Sequence, residues 1–277
     1  RSLKQPLLAE VAADSWRTAF RLVLDQKPAG KKFVIALDEF QWMAQSSPEI
    51  PSLLQEICDT CSRGSNDLTL ILCGSYMGFM EKEVLGKGSP LFGRRTAQLL
   101  LRPFGYREAV LFYPELSASE AMLFYFLCGG IPFYLKLFSA RDSAETNIQK
   151  NLLTEYAALY REPEFLLREE LKEVTTYYGI LMALASGPAS SPEIARRSGV
   201  VERHLYYYLQ SLIDLGYVSR RQPLAPQHKS RQVRFAIDDP LLRFWFRFIY
   251  PNTGVIAQTG AERTFHTIIR PALDAYF

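Results

Sequence analysis

The sequence predicts an α/β protein: a partial parallel sheet, then an all-helical segment, then a winged helix-turn-helix. Three observations carry this. Two short, continuous apolar runs alternate with helical periodicity before Ser75, strand signals vanish between Arg107 and Leu171, and three short helices with a strand hairpin follow between residues 177 and 250.

Taken in order, apolar residues at Leu8, Val11, Ala12, Trp16, Ala19, Phe20, Val23 and Leu24 recur at the three-and-four spacing of an amphipathic helix, which Lys27 to Gly30 end. Phe33-Val34-Ile35-Ala36-Leu37, between Lys31-Lys32 and Asp38-Glu39, reads as a strand buried on both faces. Pro51 to Cys61 reads as a second helix. Leu68 to Cys73 repeats the strand pattern and stops at Gly74-Ser75. Helices alternating with buried strands imply a parallel sheet.

Beyond Arg107 the pattern is helical, with Ser117-Ala118-Ser119-Glu120 as a capping box ahead of Ala121 to Cys128. From residue 177 a helix runs through Ile180 to Leu184. Ser191-Pro192-Glu193 then supplies an N-cap, a first-turn proline and a first-turn acid for a helix to about Arg197. A third helix spans Val201 to Leu215 and stops at Gly216. Tyr217 to Arg220 and Val233 to Ile237 read as the two strands of a hairpin. The expected organisation is 1–112 for the sheet-bearing part, 113–172 for the helical segment, 173–250 for the winged helix, and 251–277 as the start of a C-terminal extension.

The composition, 48% hydrophobic and 22% charged over 277 residues, excludes disordered, collagen-like and disulfide-rich classes. Four cysteines sit in apolar or helical stretches, and the chain opens on no secretory signal, so a reducing, cytoplasmic compartment is expected. Ala121 to Leu135 is shorter than the ~20 residues of a spanning helix and is interrupted by Gly129, Gly130 and Pro132, so no membrane partner is expected. The first residue is Arg1 rather than Met, and Phe277 falls on what reads as an unfinished helix; both ends read as truncations.

Asp38-Glu39 is the strongest local signal, because open α/β sheets bind ligands beyond the carboxyl ends of their strands. In a nucleotide triphosphatase the first carboxylate holds magnesium and the second orients and deprotonates the attacking water. The alternative is that the two acids cap the following helix. Ser75, ending the second strand, could face the same crevice, or be a solvated turn serine. Arg94 and Arg95 in the loop after Ser89-Pro90-Leu91-Phe92 could stabilise charge on a transferred phosphoryl group, or be surface arginines.

FVIALDEFQW (Phe33 to Trp42), LILCGS (Leu70 to Ser75), SPLFGRR (Ser89 to Arg95), LRPFGY (Leu101 to Tyr106) and GGIPFY (Gly129 to Tyr134) stand in one order. In that order and spacing they resemble the archaeal-type ATPases of the AAA+/STAND class. The resemblance runs from about Phe33 to Pro251. It implies a P-loop NTPase core, a helical lid and a winged helix, often followed by a restriction-endonuclease-like domain. By this resemblance Asp38 is the Walker B ligand of Mg, Glu39 the catalytic base and Ser75 a sensor-1-like residue. Arg94 or Arg95 is the arginine finger, and Gly130-Ile131-Pro132 is the lid motif near the nucleotide; the plain alternative for it is a helix break.

One departure matters. The phosphate-binding loop G-x-x-x-x-G-K-[ST] occurs nowhere in the chain. Pro28-Ala29-Gly30-Lys31-Lys32 lacks the first glycine and the hydroxyl, and Gly86-Lys87-Gly88-Ser89 has glycine after the lysine. In the family this loop precedes the Walker B strand within a longer segment than is present before Phe33. The expectation is therefore an N-terminal truncation, with weak or no ATP binding by the chain as given.

The net charge is only +3, yet between Glu193 and Arg234 eight basic residues face three acidic ones, and Leu215 to Ile237 contains no acid. This suits a phosphate backbone, with Arg220, Arg221, Lys229 and Arg231 on the wing and Arg203, His204 and Tyr207 reaching a groove. The alternative is a protein-docking module. Cys58-Asp59-Thr60-Cys61 is a single C-x-x-C without a second pair, the histidines form no H-E-x-x-H, and Cys73 to Met77 lacks the glycines of a nucleophile elbow. Phe244-Trp245-Phe246, Phe248 and Tyr250 read as core. The expected function is an ATP-binding and ATP-hydrolysing switch that couples nucleotide state to duplex DNA, a partner protein or self-association. A non-catalytic DNA-binding or docking regulator with a degenerate ATPase half is the alternative.

Overall fold

Phe33–Leu37 (β1) and Leu68–Leu72 (β2) form the parallel pair that their sequences predict, in the register Phe33 with Leu68 through Leu37 with Leu72. The computed structural model describes residues 13–28, 30–62, 67–75, 77–84, 86–222 and 233–277. The chain divides into two units, Arg1–Leu99 and Leu100–Phe277.

The first unit holds α1 (Trp16–Leu24), β1, α2 (Phe40–Ser46), α3 (Ile50–Ser62), β2 and the short α4 (Met77–Phe79). Leu8, Val11 and Ala12, which the periodicity assigns to the first helix, lie outside the described residues. The helix is seen from Trp16, with the Ser15 hydroxyl accepting from the Thr18 amide. Phe20, Phe40, Ile50, Leu54 and Leu91 form the core of this unit, and Leu37, Leu70 and Leu72 pack onto it. The expectation of strands buried on both faces is corrected here. Val34 and Ile71 are 55% and 43% exposed, and Ala36 and Thr69 beside them are open as well. Side chains alternate across a strand, and the core just described packs on one face only; the uniformly apolar sequence carries no mark of which face that is.

The second unit contains α5 (Tyr106–Ala109), α6 (Ala118–Cys128), α7 (Pro132–Leu137), α8 (Ala144–Ile148), α9 (Glu162–Glu170), α10 (Val174–Leu184), α11 (Ser191–Ser198) and α12 (Glu202–Asp214). The antiparallel hairpin β3 (Val218–Arg221) and β4 (Arg234–Ile237) follows, then α13 (Pro240–Phe244), α14 (Thr253–Thr264) and α15 (Arg270–Tyr276). The capping box at Ser117 forms as its spacing predicts, with both reciprocal bonds to Glu120. The cap of α11 is one residue earlier than expected. Ser190, not Ser191, is the N-cap, because the Glu193 carboxylate accepts from the Ser190 amide and hydroxyl, both at 2.8 Å; Ser190-x-x-Glu193 is the spacing a capping box requires.

One hydrophobic core runs through this unit, from Tyr113 and Phe124 by way of Leu167, Leu181 and Leu209 to Phe265. The stretches read as helical segment, winged helix and C-terminal extension thus share a core. Tyr276 packs edge-on against Phe244, and the Arg243 guanidinium lies 4.4 Å above its ring. Ala189 adds a third, one-residue rung to the hairpin, exchanging amide bonds with Phe235 at 3.0 and 2.8 Å. No helix among the described residues is long and apolar enough to cross a membrane.

Candidate functional site

The carboxyl ends of β1 and β2 are laced together. The Cys73 amide donates to the Leu37 carbonyl and the Phe40 amide to the Cys73 carbonyl, both at 2.9 Å, so the chain leaving β1 is folded back against the end of β2. This brings Asp38, Glu39 and Ser75 to one place although Ser75 is distant in sequence. Glu39 has a left-handed backbone (φ 49°), a conformation side chains other than glycine take at some cost and which clusters at functional sites. Its amide donates to Asp38 Oδ1 at 3.0 Å, and its Oε2 accepts from the Ser75 hydroxyl at 3.3 Å.

The sequence reading missed Gln41. It is 1% exposed, and its Nε2 donates both to Glu39 Oε2 and to Ser75 Oγ, the latter at 3.1 Å. Its Oε1 is buried with no partner among the described residues. The signal was available as the one polar residue in the first turn of α2, between Phe40 and Trp42. Glu39 is thereby aimed by two donors while staying exposed, an arrangement able to orient a water and accept its proton.

No group of three or more His, Cys, Asp or Glu that could hold a metal ion occurs among the described residues. The oxygens of Asp38, Glu39 and Ser75 fit a magnesium ion that takes most of its ligands from water and phosphate, not a cation caged by protein. A loop able to cradle a triphosphate is not among these residues.

Arg94 donates through Nε and Nη2 to the two oxygens of Asp59 at 2.7 and 2.8 Å, and through Nη1 to the carbonyls of Pro90 and Phe92 at 3.0 and 3.3 Å. The ion pair raises its pKa, so the guanidinium stays charged and pins the Ser89–Arg95 loop to α3. Arg95 is exposed, with Nη1 donating to Gln98. In the second unit, the Gly130 carbonyl accepts from the Phe104 amide at 2.9 Å, and Pro132 opens α7.

Arg203, His204 and Tyr207 lie on the exposed side of α12, where Arg203 Nε donates to His204 Nε2 at 3.0 Å. Tyr206, 69% exposed beside Tyr207 at 68%, belongs to the same surface and was also missed; it follows Arg203 by three residues, one helical turn. Arg220 and Arg221 are exposed on β3, with Arg221 3.3 Å from Asp238. Lys229 and Arg231 lie outside the described residues. Arg234 is engaged by Glu193 and the Pro188 carbonyl.

No protein-family model matches the chain. It is 30% identical over 249 residues to the uncharacterized protein MJECL04 of Methanocaldococcus jannaschii, a match that takes in 90% of this chain and 54% of the relative. The chain thus spans about half the length of that curated relative. Among solved structures, the Walker-type ATPase PABY2304 of Pyrococcus abyssi superposes with a TM-score of 0.61 at 22% identity, over 89% of this chain and 72% of that one. The chain therefore shares its fold with that protein. The Orc1 protein of Aeropyrum pernix, solved with DNA, covers 86% of this chain at 17% identity, but its TM-score of 0.34 is too low to bear on the fold.

Proposed function

We propose that this chain carries the Walker B half of an ATPase site, a helical lid, and a winged helix that engages duplex DNA or a protein partner according to nucleotide state. The observation that carries the reading is Glu39, held in a left-handed turn at the end of β1 and aimed by Ser75 and Gln41. Bound ATP with magnesium would supply the phosphoryl group and neutralise charge developing on it. Asp38 is the residue suited to hold that magnesium through oxygen. Glu39 orients a water and takes its proton; Ser75 and Gln41 keep its carboxylate in line. Arg95 is the better of the two finger candidates, because Arg94 is spent on Asp59 and two carbonyls.

Gly130 to Pro132 in the lid, with α11, α12 and the β3–β4 hairpin as helix-turn-helix and wing, complete the switch. A second reading, a regulator that binds without hydrolysis, draws on one observation: these 277 residues contain no phosphate-binding loop. The two separate on Glu39→Gln in the protein as its gene encodes it. The ATPase reading expects ATP binding retained and turnover reduced by about 10²–10⁴-fold; turnover unchanged by the substitution removes Glu39 as base, and no turnover in the parent favours the second reading.

A further inference from the structure

The second unit contains a cavity of about 460 Å³, to which no residue of the candidate ATPase site or of the α12 and β3 surface contributes. Tyr178 lines it at 9% exposure, and its hydroxyl is buried with no hydrogen-bond partner among the described residues. Buried hydroxyls are nearly always paired, and one left unpaired on a residue that lines a cavity marks a place that a ligand can complete. Arg161, Glu164 and Arg168 line the same cavity as Tyr178.

The apolar wall is rigid. Trp245 and Tyr250 stack with ring centres 5.1 Å apart, and Tyr178 stands at 90° to Tyr250 with centres 5.0 Å apart. The Trp245 indole N–H donates to the Tyr160 carbonyl at 2.7 Å, which fixes the indole. On the polar side, Glu164 bridges Arg161 at 2.8 Å and Arg168 at 2.7 Å. One carboxylate against two guanidinium groups leaves a positive charge over. Arg161 lies over the Phe165 ring, and its Nη1 and the remaining N–H groups of Arg168 have no hydrogen-bond partner among the described residues.

We propose that this cavity binds a small molecule with a flat aromatic ring and an anionic group. The ring lies against Tyr250 and Tyr178 and accepts a hydrogen bond from the Tyr178 hydroxyl, while the phosphate or carboxylate meets Arg161 and Arg168. The volume falls within the range of small-ligand sites, roughly 300–1,000 Å³. A mononucleotide and an aromatic carboxylate share this chemistry, and neither depends on a role of Asp38 and Glu39 in ATP.

The test is calorimetric titration of the chain with adenosine and guanosine monophosphates in one arm, and nicotinate and quinoline-3-carboxylate, whose ring nitrogens accept hydrogen bonds, in the other. The expected result is one molecule bound per chain with Kd below about 1 mM. Binding in the first arm alone makes the anion a nucleotide phosphate, and binding in the second alone makes it a carboxylate. Tyr178→Phe weakens binding about five-fold and Arg168→Gln about ten-fold. Arg168 is on the surface, so its variant reports on binding even if Tyr178→Phe disturbs the core. Asp38→Asn leaves binding unchanged, which keeps this site separate from the proposed ATPase. Silence from both probe classes at millimolar concentration, indifference to both cavity variants, or loss of binding in Asp38→Asn would each overturn the proposal.

Discussion

Gly74 makes room for Gln41. A Cβ built on Gly74 would lie 2.5 Å from Gln41 Oε1 and 2.8 Å from Met80 Sδ, so the residue before Ser75 has to be small for Gln41 to reach Glu39. Both obstructing atoms end flexible side chains, and in Gly74→Ala the glutamine gives way before the backbone does. On the ATPase reading, and in the protein as its gene encodes it, the expected outcome is a protein that folds and binds nucleotide like its parent, with turnover lowered about ten-fold as Glu39 loses one of its two donors. Steady-state kinetics beside a nucleotide titration check this; Gln41→Ala should reproduce the phenotype without the steric conflict.

At Gly130 the obstruction is backbone. A Cβ there would fall 1.8 Å from the Phe104 carbonyl oxygen, and neither partner can yield without breaking the 2.9 Å amide bond between them. Gly130→Ala therefore costs about 3 kcal/mol or more, a fall of ~6–12 °C in the unfolding midpoint. Gly88→Ala, where nothing lies within 4 Å, is the control and should melt with the parent.

Arg94 and Arg95 separate by readout. Arg94→Ala removes the bidentate pair with Asp59 and both carbonyl bonds, and lowers the melting temperature by a few degrees. Arg95→Ala leaves the melt unchanged and lowers turnover, by about 10³-fold if it acts as a finger. Equal melting of the two variants would contradict the structural part given to Arg94.

Glu170 makes stability depend on pH. Burial, and to a lesser degree neighbouring Glu169, push its carboxyl up to about 7, and its Oε2 has no hydrogen-bond partner among the described residues. Between the ordinary glutamate value and 7 the folded chain holds a proton that the unfolded chain has released, so stability falls as pH rises through that window and levels off above it. Glu170→Gln should melt like the parent near pH 4.5. At pH 8 it should melt ~3–6 °C higher, about 1–2 kcal/mol after allowance for partial exposure.

The surface of α12 and β3 offers a salt test. Duplex DNA should bind with an affinity that falls steeply as salt rises, and neutralising Arg220 and Arg221 should flatten the log–log slope by about two units. Tyr206→Ala should weaken binding with the slope unchanged, since it removes contact and no charge.

Much of this was legible in the sequence where the signal is local. The β1 pattern Phe33 to Leu37 and the capping box at Ser117 depend on neighbours a few residues apart, and both elements form where they read. What the sequence hid is long-range. Arg94 meets Asp59 across 35 positions, and Trp245 binds the Tyr160 carbonyl across 85; no periodicity relates such residues. Gln41 escaped notice for another reason, being polar in a helix whose other first-turn residues are apolar, and its value appears only once Ser75 is beside it.

The open apolar face of β1 and β2 bears on how the chain behaves in bulk. Val34 and Ile71 present oily surface above a parallel pair in which each strand, among the described residues, is hydrogen-bonded along one edge. Such a surface is adhesive: two copies can shield it from water by meeting face to face, or extend the ladder edge to edge. The isolated chain should accordingly scatter more light as it is concentrated, with second virial coefficients turning negative in kosmotropic salt. Val34→Lys with Ile71→Thr should restore colloidal stability while leaving the core side of the sheet, at Ile35 and Leu70, undisturbed.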